Sequence, residues 1–230
     1  MQTSLEVLEL SVVILARNHN PSMLNPDFLK HNEIVPKDWE LDGSPVVTQL
    51  ASQVKFKNGI GIVAQLNKII FAEAWAGYDV PKSRLPDIVK KYVDTLPHVN
   101  YQAVGVNPRG QAVGDSENET DRFVLDKLMK PGPWVLFAGG PTSAKATIVY
   151  QVNNAQLTLG IESGTVEEHP KYSKGTPIVI FTANFHRALP PSDEENRIQR
   201  FKETLDFVEA DVQQFRSLVD NALLEGLVQR

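Results

Sequence analysis

The chain repeats a register against itself, and this constrains its fold more than any other feature. Pro36-Lys37-Asp38-Trp39 has a counterpart in Pro131-Gly132-Pro133-Trp134, and the interval from Trp39 to Trp134 also separates the turn dipeptide Asn58-Gly59 from Asn153-Asn154. The order of local signals repeats with it. Residues 5–17 read as a strand that stops at Asn18-His19-Asn20-Pro21, and Val99 to Val106 read likewise and stop at Asn107-Pro108. A short helix follows each. The first has Asn25-Pro26-Asp27 as cap, first-turn proline and early acid, with Asn32 at its end; the second is capped by Thr120-Asp121 and carries Val124, Leu125, Leu128 and Met129.

Three antiparallel strands come next: Val46 to Lys57, Ile60 to Gln65 and Lys68 to Trp75 in the first round, then Ala146 to Val152, Gln156 to Ile161 and Pro177 to Phe185 in the second. Asn58-Gly59 supplies the positive φ of a tight hairpin, and a second turn falls near Leu66-Asn67. Each meander closes on a helix. Ser83 to Thr95 places Leu85, Ile88, Val89, Tyr92, Val93 and Leu96 on one stripe, and Ser192-Asp193-Glu194-Glu195 forms a capping box for the other helix. The interval lengthens between Phe71 and Phe181, which places an insertion around Ser163 to Thr176, expected as a loop.

The expected architecture is therefore α+β: one unit, 1–230, of two β-α-β-β-β-α repeats spanning about 5–96 and 99–228. They share one curved antiparallel sheet with helices on one face and the other face at least partly open. The last helix is expected to be long. Ile198, Phe201, Leu205, Val208, Val212, Phe215, Val219 and Ala222 alternate steps of three and four, and neither proline nor glycine interrupts Arg197 to Glu225. Phe207, Leu218, Leu223 and Leu224 widen the stripe beyond a strict coiled-coil seam, so the helix is expected to pack on its own sheet, with a homodimer contact through it as a second use.

This element order resembles the saddle-shaped fold of the TATA-box-binding protein family. The resemblance is carried best by the hairpin Ile62-Val63-Ala64-Gln65-Leu66-Asn67-Lys68-Ile69-Ile70-Phe71, followed by Ser83-Arg84-Leu85 opening a helix. It implies a continuous curved sheet with its helices on one face, and no functional residue is carried over. The chain is also similar in general appearance to conserved prokaryotic proteins without an assigned activity.

Composition narrows the function classes. With 42% hydrophobic residues the chain can bury a sizeable core, and its longest apolar runs fall well short of the roughly 20 residues of a membrane helix. The start of the chain matches neither a signal nor a transit peptide, and a cytoplasmic location is expected. The absence of cysteine excludes disulfides, thiolate catalysis and Cys-based metal sites. A net charge of −5 offers little attraction to phosphates, so duplex DNA is not an expected partner.

Candidate sites each have a plain structural alternative. Asp115, Glu117, Glu119 and Asp121 alternate as oxygen ligands might, but they lack the turn glycine and terminal Glu of a calcium loop and suit the start of a helix. Gly139-Gly140-Pro141-Thr142-Ser143 follows Trp134-Val135-Leu136-Phe137 without a Walker-type Lys-Ser/Thr pair, which favours an inter-strand loop over a phosphate loop. The five histidines, His19, His31, His98, His169 and His186, form no zinc-type pair, although His19 and His186 fall at strand ends. Trp39, Trp75 and Trp134 suit packing.

No catalytic, cofactor or metal residue is assigned. The remaining feature is a polar sheet face. Alternation places Lys55, Lys57 and Gln53 opposite Val54 and Phe56, Gln151 with Thr147 and Val149, and Gln156 and Thr158 opposite Leu157 and Leu159. Lys55, Lys57, Gln151, Gln156 and Thr158 are thus expected to present a face to a protein partner or polar ligand, with arginine absent from the six meander strands. The leading expectation is a non-catalytic binding or protein-interaction module. The alternative is an enzyme whose small-molecule pocket assembles from scattered polar residues.

Overall fold

A computed structural model describes residues 1–2, 4–75, 82–152, 154–189 and 196–225. The chain is α+β, with one open antiparallel sheet of nine strands among the described residues. In chain order these are β1 (Glu6–Arg17), β2 (Val46–Val47), β3 (Ala51–Lys55), β4 (Ile60–Gln65), β5 (Lys68–Ala74), β6 (Asn100–Val113), β7 (Ala146–Val152), β8 (Ala155–Thr165) and β9 (Pro177–Ala188). Their spatial order is β2-β3-β4-β5-β1-β6-β9-β8-β7. Read outward from the central β1–β6 pair, each side gives a long strand and then a three-stranded meander in reverse order, with β2 added at one edge. The interval shared by the turn residues is also the one that relates β4 to β8, whereas the ladders match Phe71 on β5 with Phe185 on β9 rather than with Phe181.

Helices cover one face. They are α1 (Pro26–His31), α2 (Leu85–Thr95), α3 (Glu117–Leu128), α4 (Arg197–Leu205) and α5 (Val208–Ser217). α2 lies on β1 and β5, α3 on β8 and β9, and α4 and α5 on β6. Asn25 caps α1 by accepting the Phe28 N–H at 2.8 Å, and Ser116 caps α3 by accepting that of Glu119 at 3.2 Å. Under the helices a buried row crosses eight strands: Val54, Ile62, Phe71, Val12, Val106, Phe185, Leu157 and Tyr150, of which only Tyr150, at the edge, is partly exposed. Phe28, Tyr92 and Phe71 meet edge to face, which ties α1 to α2 and α2 to the sheet.

Several expectations need correction. The strand expected over Val46 to Lys57 is two strands, because Thr48 turns the chain between them, its Oγ1 donating to Ala51 O and accepting the Ala51 N–H. β6 does not stop at Asn107-Pro108 but runs on to Val113. As a central strand it stays paired with β1 and β9, and the irregularity is taken up by a bulge between Val7 and Glu9 of β1, close to the proline. α3 begins at Glu117, so Thr120 and Asp121 lie within it. The C-terminal helix is not continuous: it bends at Asp206-Phe207, between α4 and α5, and ends in a π-helical turn, Leu218–Leu224. Its apolar stripe does pack on the sheet side, with Phe201, Leu205, Val208, Val212, Phe215 and Val219 buried. The capping box at Ser192 lies outside the described residues.

Candidate functional site

The face opposite the helices carries the side chains that alternate with this core, and no helix covers it among the described residues. One row across it runs Gln53, Val63, Ile70, Val13, Gly105, His186, Gln156 and Gln151. A neighbouring row includes Lys55, Gly61, Ala72, Ser11 and Asn107, and Asn184, Thr158 and Val149 continue it on the far side. Eight strands at the usual spacing make a face roughly 35 Å wide. Its two halves differ in chemistry. On the β3–β5 and β1 side Val63, Ile70, Val13 and Leu15 are apolar, while the β6–β9 side offers the amides of Asn107, Asn184, Gln156 and Gln151, the hydroxyls of Thr158 and Thr182, and the His186 imidazole.

Gly105 floors this polar half. A methyl group placed there would lie 3.4 Å from Asn184 Nδ2 and 3.5 Å from Asn107 Oδ1, so the two carboxamides lie over the glycine, which is buried beneath them. Such an arrangement offers neutral donors and acceptors with little charge.

The sequence-derived face residues divide as follows. Lys55, Gln151, Gln156 and Thr158 lie on this open face, with Gln151 directly opposite Gln156 and Thr158 opposite Val149. Lys55 sits on β3, six strands from Gln156 and roughly 29 Å away, so the lysine and the amides are separate features of the face. Lys57 lies past β3 in the turn and pairs with Glu40 at 2.6 Å. Arginine is not absent from the meander strands, because β9 extends far enough to include Arg187. That residue faces the helices, where its two terminal nitrogens donate to Asp211 at 2.6 and 2.7 Å. Arg109, in the continuation of β6, is on the open face opposite Glu9.

A loop over 166–176 closes one end of the face. Glu6, fully buried and paired in register with Gln111, accepts from Gln111 Nε2 at 3.3 Å and faces His169 Nε2 at 3.4 Å. His169 Nδ1 accepts the Lys171 N–H at 3.1 Å. The imidazole stacks on Tyr172 at 4.7 Å, and Lys171 Nζ stands 3.9 Å from the other Glu6 oxygen. These contacts bring the loop against Glu6 on the sheet. No local pattern announces this cluster, since its members come from β1, β6 and a distant loop.

The other candidates are accounted for locally. Asp115 and Glu119 bind the Met1 ammonium at 2.9 and 3.2 Å, Asp121 accepts from Ser163 Oγ, and among the described residues no group of three or more His, Asp or Glu is placed to hold a metal. His19 is buried just past β1, and neither ring nitrogen has a hydrogen-bond partner; burial lowers its pKa below the ordinary histidine value. His186 lies on the face, well along the sheet from His19. Trp39 packs edge to face on Phe56 and under Arg84, which also bonds Glu73 and the Asn58 carbonyl. Gly139 and Gly140 both take positive φ, at the end of a 3-10 segment, Pro133–Gly139, that is interrupted by the non-helical Phe137 and Ala138.

A second concavity of about 340 Å³ lies between Trp75, Ser83 and the start of α5, lined also by Lys82, Glu209 and Gln213. Trp75 Nε1 is buried without a hydrogen-bond partner among the described residues. No helix among the described residues is long and apolar enough to cross a membrane. No protein-family model matches the chain, and no curated protein does.

Proposed function

We propose that this chain is a non-catalytic binding module, working in the cytoplasm, that docks a protein segment or polar ligand on its open sheet face. The observation that carries this reading is the amide- and hydroxyl-bearing surface around Gly105, bordered by the apolar patch of Val13, Ile70 and Val63. Neutral amides beside small residues let a partner's backbone approach and exchange hydrogen bonds, and the apolar half supplies area. The matching strand order and register on the two sides of β1–β6 support reading the two halves as a duplication, and the element order supports the saddle-like resemblance. Duplex DNA is not the proposed partner, because the chain carries a net charge of −5 and the amide cluster itself is neutral.

The test is selection of binding peptides from a random library displayed on phage, followed by titration of the synthetic peptides against the unmodified chain and against Asn184→Arg with Gln156→Arg. Both positions are exposed, so the fold should survive. Micromolar binding that weakens at least about tenfold in the double variant supports the reading, whereas peptides indifferent to it show that docking lies elsewhere. Fluorescence anisotropy with a mixed-sequence duplex at low salt should show no micromolar binding. A second reading, an enzyme or small-molecule binder, rests on the concavity beside Trp75 and its unpaired indole N–H. Native mass spectrometry showing a stoichiometric small molecule would favour it over the docking face.

A further inference from the structure

The two edges of the sheet are unlike. β2 ends it with only Val46–Val47, whereas β7 ends it with seven residues, Ala146–Val152, none of them charged, proline or glycine. A sheet edge presents a row of unpaired N–H and C=O groups, and proteins keep such edges from further pairing by shortness, charge, proline or bulges. β2 is short; β7 has none of these protections. Its helix-side residues are covered less than those of β8. Leu157, Leu159 and Ile161 of β8 are buried, but α3 packs on β8 and β9, and the neighbouring Ile148, Tyr150 and Val152 of β7, packed against the edge of the core, are only partly buried. The connection from α3 into β7 adds Trp134, Leu136 and Phe137, the last two 82% exposed.

We infer that a second copy of this chain completes the edge, β7 pairing antiparallel with its counterpart about a two-fold axis at Val149 to make one continuous sheet. The side chains of β7 match their own reversal. Pairing about Val149 sets Ile148 against Tyr150 on the helix side and Thr147 against Gln151 on the open side, so apolar meets apolar and polar meets polar. No like charges oppose one another, although each copy carries −5, and Lys145 at the strand's start is already paired with Glu162 at 2.5 Å. The apolar stripe of α4 and α5 is buried on its own sheet, which leaves the β7 edge with more uncovered apolar surface to offer. With Trp134 39% and Phe137 82% exposed, two copies of this pair have at most roughly 500 Å² left to bury, a part of the roughly 1,200–2,000 Å² of a stable interface.

The absence of cysteine makes the test direct. Residues opposed across an antiparallel pair lie about 4.5–5.5 Å apart, within disulfide reach, so Val149→Cys should oxidise to a covalent dimer. Leu50→Cys, an exposed position away from β7, should stay uncrosslinked under the same oxidant. Sedimentation of the unmodified chain at high micromolar concentration should give twice the 25.6 kDa chain mass. Val149→Lys, at a position already 57% exposed, should weaken the dimer at least about tenfold by opposing two ammonium groups. A monomer mass for the unmodified chain, a dimer untouched by Val149→Lys, or equal crosslinking through Leu50→Cys would overturn the inference.

Discussion

Val12 and Val106 face each other across the central β1–β6 pair, both fully buried, and each is backed on its outer side by a phenylalanine, Phe71 on β5 and Phe185 on β9. Valine truncated to alanine here should cost about 2 kcal/mol at either position, from lost transfer energy and an unfilled cavity. Because the two side chains share one packing environment, the double variant should depart from additivity by about 0.5 kcal/mol or more. Urea denaturation of the two single variants and the double variant measures this; strict additivity would show that the halves pack independently at their junction.

Arg187 and Asp211 form a bidentate pair with both side chains buried. Burial pushes the Asp211 pKa upward, and the Arg187 guanidinium opposes that shift. Asp211→Ala leaves a buried guanidinium without its partner and should cost about 3–5 kcal/mol in chemical denaturation. Replacing both, with Arg187→Met and Asp211→Leu, should recover much of that loss. A double variant as unstable as Asp211→Ala would show that the pair is worth more than the desolvation it requires.

His19 gives stability a pH dependence of known sign. Its folded pKa lies below the ordinary value of about 6.5, so the folded state binds fewer protons than the unfolded chain between the two values. Stability is therefore fully present above about pH 6.5 and is lost as pH falls toward the folded pKa. His19→Leu removes two buried nitrogens that lack partners, and it should flatten the dependence of Tm on pH in that window without lowering Tm at neutral pH. Unchanged dependence in the variant would assign the effect to other groups.

Glu6, bonded to Gln111 within the sheet, meets the 166–176 loop through His169 and Lys171. Glu6→Ala should leave those donors without their carboxylate, costing about 1–3 kcal/mol, and should loosen the loop before the rest of the chain. Limited trypsin digestion followed by mass spectrometry should then show faster cleavage after Lys171 and Lys174. Cleavage at the rate of the unmodified chain would mean that Glu6 is not what retains the loop.

Much of the sheet was legible because its signals are local. Alternation and Asn58-Gly59 place β4 and β5 to within a residue, and Gly59 takes the expected positive φ. β6 was cut short because Asn107-Pro108 is a turn signal in isolation, and only the neighbours on both sides keep a proline-containing strand in register. The bend at Asp206-Phe207 has no glycine or proline to announce it. On the open face, alternation located Gln151, Gln156 and Thr158, but it did not find Asn107, Asn184 or His186, whose strands were ended too early or whose chemistry depends on Gly105 from another strand. The Glu6 cluster joins residues too distant in sequence for any local pattern.

The strand order also sets a timetable. β1, at the middle of the sheet, precedes both of its partners: β5 begins only at Lys68 and β6 only at Asn100. A ribosome making this chain therefore releases its central strand long before either neighbour exists. That apolar segment must wait, exposed or held by a chaperone, until the first meander arrives on one flank and β6 on the other. Pairings of such separation make folding slow and leave the growing chain open to aggregation.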